Sequence, residues 1–119
     1  VLVVDDEPAV RDVFRQILQA FGLKVRTAQD GRAALEVLAD PTANIAGIVT
    51  DLHMPGMDGI ELMREVRKSR PELRFILSSG RADRADAAAF ERLGVVAQLD
   101  KPFSMDSLSE ALKVLLAPR

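Results

Sequence analysis

Charged side chains follow several of the apolar runs in this sequence. Asp5 and Asp6 follow the first run, Asp51 follows the third, and Lys101 follows the last. Carboxylates brought together need a counter-charge, because two like charges about 4 Å apart repel by roughly 4 kcal/mol at an effective dielectric of 20. A divalent cation or the Lys101 ammonium would supply that counter-charge.

The chemistry that such a set can carry is phosphoryl transfer. Oxygen ligands select Mg²⁺, or Mn²⁺, over zinc. A carboxylate held by such an ion can attack phosphorus and form an aspartyl phosphate. Phosphoryl transfer needs mainly positioning and positive charge at the phosphoryl oxygens, and the cation, the Lys101 amine and the Ser79 hydroxyl would supply those contacts. Ser78 is the alternative hydroxyl.

The composition of the 119 residues excludes several other classes of site. With 0 Cys and 1 His, the chain has no thiolate metal site, no cysteine nucleophile and no two-histidine centre. Nucleic-acid binding is typically carried by a basic surface and stacking aromatic residues. This chain has a formal net charge of -2, 0 Trp and 0 Tyr, so it has neither feature. No apolar run reaches the roughly 18 residues of a membrane span. We therefore expect neither nucleic acid nor a membrane as a direct partner.

Apolar runs alternate with amphipathic stretches along the whole chain, which predicts a single α/β domain over residues 1–119. Strands are predicted at 1–4, 25–28, 45–50, 75–77 and 95–99. Helices are predicted to begin at or just after Pro8, Asp30, Asp58, Asp83 and Ser104. Parallel strands joined by helices form a doubly wound sheet, whose sites lie beyond the carboxyl ends of the strands. The acids and the lysine are therefore expected on one edge of the sheet.

Four motifs carry a resemblance to a known family. They are Val3-Val-Asp-Asp-Glu-Pro8, Asp51-Leu-His-Met-Pro-Gly-Met-Asp-Gly59, Leu77-Ser-Ser-Gly80 and Lys101-Pro-Phe103. In order and spacing the chain resembles, over its whole length, the receiver domain of two-component response regulators. The resemblance implies a flavodoxin-like fold: a five-stranded parallel sheet in the order 2-1-3-4-5, flanked by five helices.

The resemblance also implies roles for the acidic residues. Asp51 matches the phosphoacceptor, and Asp6 matches a direct ligand of Mg²⁺. Asp5 matches the neighbour that binds the ion through water. The backbone carbonyl of His53 matches the third protein ligand.

A switch and a set of partners follow from the same resemblance. Ser79 matches the hydroxyl that moves to the phosphoryl group, and Lys101 matches the lysine that pairs with a phosphoryl oxygen. The Lys101–Pro102 bond is often cis in this family. The implied donor is a histidine kinase or a histidine phosphotransfer protein, docking beside the first helix. The implied output face is helix four, strand five and helix five.

Further expectations concern the setting of the domain. We expect a cytoplasmic monomer or phosphorylation-dependent dimer that turns over no external substrate. An output partner or effector domain would lie outside this chain. Because Val1 already lies in the predicted first strand and is not Met, we expect residues to precede it.

Three positions depart from the family pattern or modulate it. Gln98 stands three residues before Lys101, where many receivers have an aromatic switch residue. His53 and Arg81 occupy the two positions that influence how long the phosphoryl group survives.

Alternative functions are open to a chain of this fold. A pseudo-receiver would act as an interaction module without phosphorylation, and Gln98 favours that interpretation slightly. An aspartate-nucleophile phosphatase needs a second carboxylate two residues after Asp51, where this chain has His53. A flavin carrier is disfavoured because the acids after the first strand would repel the flavin phosphate.

Overall fold

The fold is a five-stranded parallel sheet between two helical layers. The structure is a computed structural model, and it describes residues 1–79 and 87–117. The strands are β1 (Leu2–Val4), β2 (Arg26–Ala28), β3 (Ile48–Asp51), β4 (Phe75–Ser79) and β5 (Val95–Asp100). Their order is β2-β1-β3-β4-β5, and each neighbouring pair is parallel. The predicted fold class and strand order are confirmed.

The described helices begin at or directly after a predicted start residue, except the fourth, which is described only from Ala87. They are α1 (Pro8–Ala20), α2 (Gly31–Ala39), α3 (Gly59–Ser69), α4 (Ala87–Arg92) and α5 (Met105–Leu115). The side chains of Asp30, Asp58 and Ser104 each accept a hydrogen bond from the backbone N–H three residues on, which satisfies a donor that the first helical turn leaves unpaired. Gly80, Arg81 and the predicted start of the fourth helix at Asp83 lie outside the described residues.

The two faces of the sheet carry separate apolar layers. The α1/α5 face is covered by buried side chains of those helices, including Phe14, Leu18, Leu108 and Leu112. The α2/α3/α4 face is covered by others, including Leu38, Leu62, Met63 and Phe90. Because strand residues alternate between faces, each central strand contributes side chains to both layers. Covering on both faces explains why the strands read as continuous apolar runs.

The strand limits differ from the apolar runs in two ways. Strand β3 begins at Ile48 rather than at 45, because its ladder starts only where its neighbour β1 begins, at the pair Leu2 and Ile48. Strands β4 and β5 continue over polar residues to Ser79 and Asp100, which pair with each other. Apolar character therefore marks the buried part of a strand, whereas the neighbouring strand sets its length.

Candidate functional site

Two buried carboxylates lie at the carboxyl ends of the central strands. Asp51 is the last residue of β3, and Asp5 directly follows β1. The N–H of Asp5 donates to the Ala28 carbonyl at 3.2 Å, which continues the pairing with β2. Asp5 is 1% exposed and Asp51 is 7% exposed. Carboxylates this deeply buried require partners of opposite charge or hydrogen-bond donors.

Asp6 joins these two residues in an acidic cluster. One carboxylate oxygen from each of Asp5, Asp6 and Asp51 lies within 4.8 Å of the others. Asp6 itself is exposed, so the cluster opens to solvent on its side. The donor set is made of oxygen atoms alone, and two of the three carboxylates are buried. A hard divalent cation such as Mg²⁺ fits this set.

Lys101 supplies positive charge to the same place from the other end of the chain. Its Nζ lies 3.3 Å from Oδ1 of Asp51 and 3.5 Å from Oδ2 of Asp5. The lysine follows β5, and the peptide bond that precedes Pro102 is cis. The sheet topology therefore brings together Asp5, Asp6, Asp51 and Lys101, as the sequence predicts.

The site shifts the pKa values of both Asp51 and Lys101, and the dominant cause differs between the two residues. Burial raises the pKa of Asp51, and the nearby Asp5 raises it further, although Lys101 and the backbone N–H of His53 both favour its charged form. Burial lowers the pKa of Lys101, but the attraction of Asp5 and Asp51 outweighs it, so the pKa is raised overall. Lys101 is therefore a cation at neutral pH, whereas the surroundings of Asp51 disfavour its charged form relative to an aspartate in water.

The loop after β3 packs tightly against Asp51. The N–H of Gly59 donates to the Leu52 carbonyl at 2.8 Å. A Cβ atom at Gly59 would lie 2.5 Å from the Asp51 carbonyl oxygen, so only glycine permits this approach. Gly56 has a φ of 77°, which also favours glycine. These glycines hold the His53 backbone beside the Asp51 carboxylate.

The two serines at the end of β4 face opposite ways. Ser79 shares the α2/α3/α4 face with Leu77, whereas Asp51 shares the α1/α5 face with Val49. Ser79 is tied to the site through its backbone, because its carbonyl accepts from the Lys101 N–H at 3.0 Å. The alternation of strand residues puts its side chain on the other face of β4 from that of Ser78.

Two polar atoms that sequence reasoning gave little weight are buried without partners. Among residues 1–79 and 87–117, the Ser78 hydroxyl and Oε1 of Gln98 accept or donate no hydrogen bond. Gln98 lies on β5 opposite Leu77 and lines a cleft of about 560 Å³ beside Phe90. The signal that could have identified Gln98 is a polar residue inside an apolar run, whereas Ser78 lies beyond the apolar run of β4.

Comparisons with known proteins agree on one family. The family model described as the response regulator receiver domain matches residues 1–113. The chain is 39% identical over 116 residues to sensor kinase CckA of Brucella abortus, covering 98% of this chain and 12% of CckA. It is 35% identical to the C4-dicarboxylate transport transcriptional regulatory protein DctD of Pseudomonas aeruginosa, covering 100% of this chain and 25% of DctD. The chain thus spans a quarter or less of these two relatives.

Solved structures give the same result. The receiver domain of NtrX from Brucella abortus superposes with a TM-score of 0.89 and 33% identity, covering 99% of this chain and 98% of that one. The response regulator TrrA of Thermotoga maritima, in complex with Mg²⁺ and BeF, has a TM-score of 0.83 and 32% identity, covering 97% and 96%. Within the described residues, no helix has the length and apolar character needed to cross a membrane. The chain belongs to the response regulator receiver domain family.

Proposed function

We propose that this domain accepts a phosphoryl group on Asp51 from a phosphohistidine of a partner protein. The observation that carries the proposal is the position of the Lys101 ammonium, 3.3 Å from the Asp51 carboxylate inside a cluster of three acids. Receiver domains bind Mg²⁺ at an acidic site of this kind, and the TrrA structure is a complex with Mg²⁺ and BeF. The proposed acceptor is therefore buried, charged and paired with a cation.

The transfer is a displacement at phosphorus. An oxygen of the Asp51 carboxylate forms a bond to phosphorus while the N–P bond of the donor breaks, and the electron pair of that bond returns to the imidazole nitrogen. Lys101 contributes positive charge to the phosphoryl oxygens from its position beside Oδ1. Bound Mg²⁺ would neutralise charge between the carboxylates and those oxygens.

The acids divide the work of holding Mg²⁺. Asp5 has little freedom, because its Oδ1 accepts from the Glu7 N–H at 2.9 Å and its Oδ2 lies near Lys101. This supports a water-mediated contact for Asp5. Asp6 is exposed and can turn toward the ion, which supports direct binding. With Asp51 and the carbonyl of His53, these residues form the proposed metal site, which would also accept Mn²⁺.

The output proposed for phosphorylation is a change at the face built from α4, β5 and α5. The phosphoryl group adds a charge of about -1.5 to -2. Lys101 would pair with it, and the Ser79 hydroxyl at the end of β4 would move to it, which biases two conformations of that face. Gln98 stands on this face where an aromatic residue is usual, so the packing change there would differ from that of an aromatic switch.

The proposed setting is a phosphorelay. A histidine kinase or histidine phosphotransfer protein would dock beside α1 and deliver the phosphoryl group. The relatives include a sensor kinase and a transcriptional regulator that are both several times longer than this chain. We propose that residues 1–119 form a single cytoplasmic receiver domain, monomeric or dimerising on phosphorylation. The output function would then belong to a partner or an effector domain.

Labelling by a small phosphodonor in the presence of Mg²⁺ tests the acceptor assignment. We expect stable incorporation into the wild-type chain and none into Asp51→Asn. Asp106→Asn, at an exposed carboxylate in the first turn of α5, is the matched control and is expected to label like the wild type. Equal labelling of Asp51→Asn and wild type would falsify the assignment.

The second candidate is a pseudo-receiver that binds partners without phosphorylation. Gln98 favours it, because the usual aromatic switch residue is replaced and the amide oxygen has no partner among the described residues. Titration calorimetry with Mg²⁺ near neutral pH separates the two candidates. Binding supports the phosphoacceptor, and its absence supports the pseudo-receiver.

A further inference from the structure

We propose that the Ser78 hydroxyl is an additional binding group for the acyl phosphate of Asp51, to which it donates a hydrogen bond. This inference rests on the proposed function, since it names a further residue of the same site. It concerns a different residue from Ser79, whose side chain lies on the opposite face of the sheet. Ser78 would act from β4, the strand next to the one that carries Asp51.

The register of the sheet places Ser78 directly beside the acceptor. Asp51 of β3 and Ser78 of β4 are paired residues, and neighbouring strands lie about 4.8 Å apart. Paired residues of parallel strands direct their side chains to the same face. The preceding pair in this row, Val49 and Ile76, lies on the α1/α5 face. The alternation of strand residues therefore puts the Asp51 and Ser78 side chains on that face together.

The Ser78 hydroxyl is buried, and no group in the described part of the chain pairs with it. Its residue is 1% exposed, and its Oγ makes no hydrogen bond within residues 1–79 and 87–117. The Ser78 backbone carbonyl, in contrast, accepts from the Leu52 N–H at 3.2 Å. A buried polar atom without a partner disfavours the fold. An apolar residue such as Ile76, two positions earlier on the same face, would avoid that cost.

The neighbours of Ser78 indicate which partner it can gain. On the β5 side it is paired with Leu99, which offers no polar atom. On the β3 side stands Asp51, whose carboxylate already accepts from the His53 N–H and lies beside the Lys101 ammonium. Formation of the acyl phosphate adds phosphoryl oxygens at this position. An O–H donor to such an anionic oxygen makes one of the stronger hydrogen bonds.

The hydroxyl is therefore expected to have opposite effects on the unmodified and the phosphorylated domain. In the unmodified domain it has no partner in the described part of the chain, so its removal should leave stability unchanged or improve it. In the phosphorylated domain it contributes a hydrogen bond, so its removal should weaken binding of the phosphoryl group. If the serine only supported the fold, removal of its hydroxyl would lower the stability of the unmodified domain.

The test uses beryllofluoride, a phosphoryl mimic, in the presence of Mg²⁺. We expect Ser78→Ala to weaken beryllofluoride binding by about tenfold, the range of a hydrogen bond to a charged group. The melting temperature of the unmodified variant should equal or exceed that of the wild type. Ser69→Ala removes a hydroxyl at the end of α3, on an exposed turn, and is the control expected to match the wild type in both measurements. Ser78→Cys, nearly the same size but a weak donor, should reproduce the weakening.

Two results would overturn the inference. One is beryllofluoride binding by Ser78→Ala and Ser78→Cys within about twofold of the wild type, below the effect of an ordinary hydrogen bond. The other is a lower melting temperature of unmodified Ser78→Ala, which would show that the hydroxyl already has a partner. Failure of the wild type to bind beryllofluoride with Mg²⁺ would instead contradict the proposed function itself.

Discussion

The carboxyl-end edge of the sheet has two halves that differ in how their polar groups are paired. The charged half consists of the ends of β1 and β3 together with Lys101, which follows β5; there Asp5 and Asp51 lie within 3.5 Å and 3.3 Å of the Lys101 ammonium. The uncharged half consists of the side chains of Ser78 on β4 and Gln98 on β5, each of which buries an oxygen that has no partner among the described residues. The charged groups are thus already paired before any ligand binds, whereas the two oxygens of the uncharged half can still form a hydrogen bond with a ligand or in a second conformation.

The difference follows from the free energy of burial. An unpaired buried charge costs so much that the group either finds a partner or neutralises. An unpaired hydroxyl or amide oxygen costs about 1–3 kcal/mol, which a domain can tolerate. Burying the acids therefore required Lys101, while Ser78 and Gln98 could be left for a second state. Charge explains where the site is, and the unpaired oxygens indicate what can change there.

The largest expected effect comes from removing the cation of the charged half. Lys101→Met retains the length of the side chain but loses the positive charge beside Asp51. We expect the rate of phosphorylation by a small phosphodonor to fall by about 100-fold, the loss typical of removing one charge-stabilising group, about 2.7 kcal/mol. A time course of labelling by the phosphodonor in the presence of Mg²⁺ measures this rate. Lys113→Met, at an exposed residue of α5, is the control, and a Lys101→Met rate within threefold of that control would contradict the account.

A smaller effect concerns the raised pKa of Asp51. Because its pKa is raised in the folded protein, its ionised form disfavours folding at neutral pH. Asp51→Asn should therefore raise the melting temperature in EDTA at pH 7 by about 2–5 °C. The gain should shrink as the pH falls through the raised pKa of Asp51 and vanish below the ordinary aspartate value of about 3.9.

Thermal denaturation across that pH range checks this prediction. Asp106→Asn, again the exposed control, should shift the melting temperature little at any pH. A lower melting temperature of Asp51→Asn at pH 7 would show that the attraction of Lys101 outweighs burial, contrary to the assigned direction of the pKa.

The smallest effect tests the uncharged half. Gln98→Leu removes the unpaired amide oxygen and adds apolar surface beside Phe90. We expect a gain in stability of about 0.5–1 kcal/mol, measured by urea denaturation. Labelling of Asp51 by a small phosphodonor should be unchanged, because Gln98 lies on the α4 side. A loss of stability would mean that the amide has a partner, and the contrast between the two halves would then be wrong.

Sequence patterns were sufficient for the parts of the molecule that depend on local chemistry. The caps at Asp30, Asp58 and Ser104 follow from short polar side chains before amphipathic stretches, and the structure has them. The convergence of Asp5, Asp51 and Lys101 follows from parallel topology, because each comes after an apolar run.

Features that depend on neighbouring strands could not be predicted in the same way. The extension of β4 over Ser78 and Ser79 requires a partner strand, and no apolar run signals it. The position of Ser78 beside Asp51 depends on the register between β3 and β4, which tertiary packing sets. The N–H of His53 that donates to Asp51 belongs to the backbone, so the side-chain sequence carries no signal for it.

A crystal structure of the domain with Mg²⁺ and beryllofluoride would test the central claim most directly. The account predicts beryllium on a carboxylate oxygen of Asp51, with the Lys101 ammonium against a fluorine. It places Mg²⁺ on Asp6, Asp51 and the carbonyl of His53, with Asp5 one water away. Beryllium on another side chain, or Mg²⁺ bound away from the three acids, would contradict it.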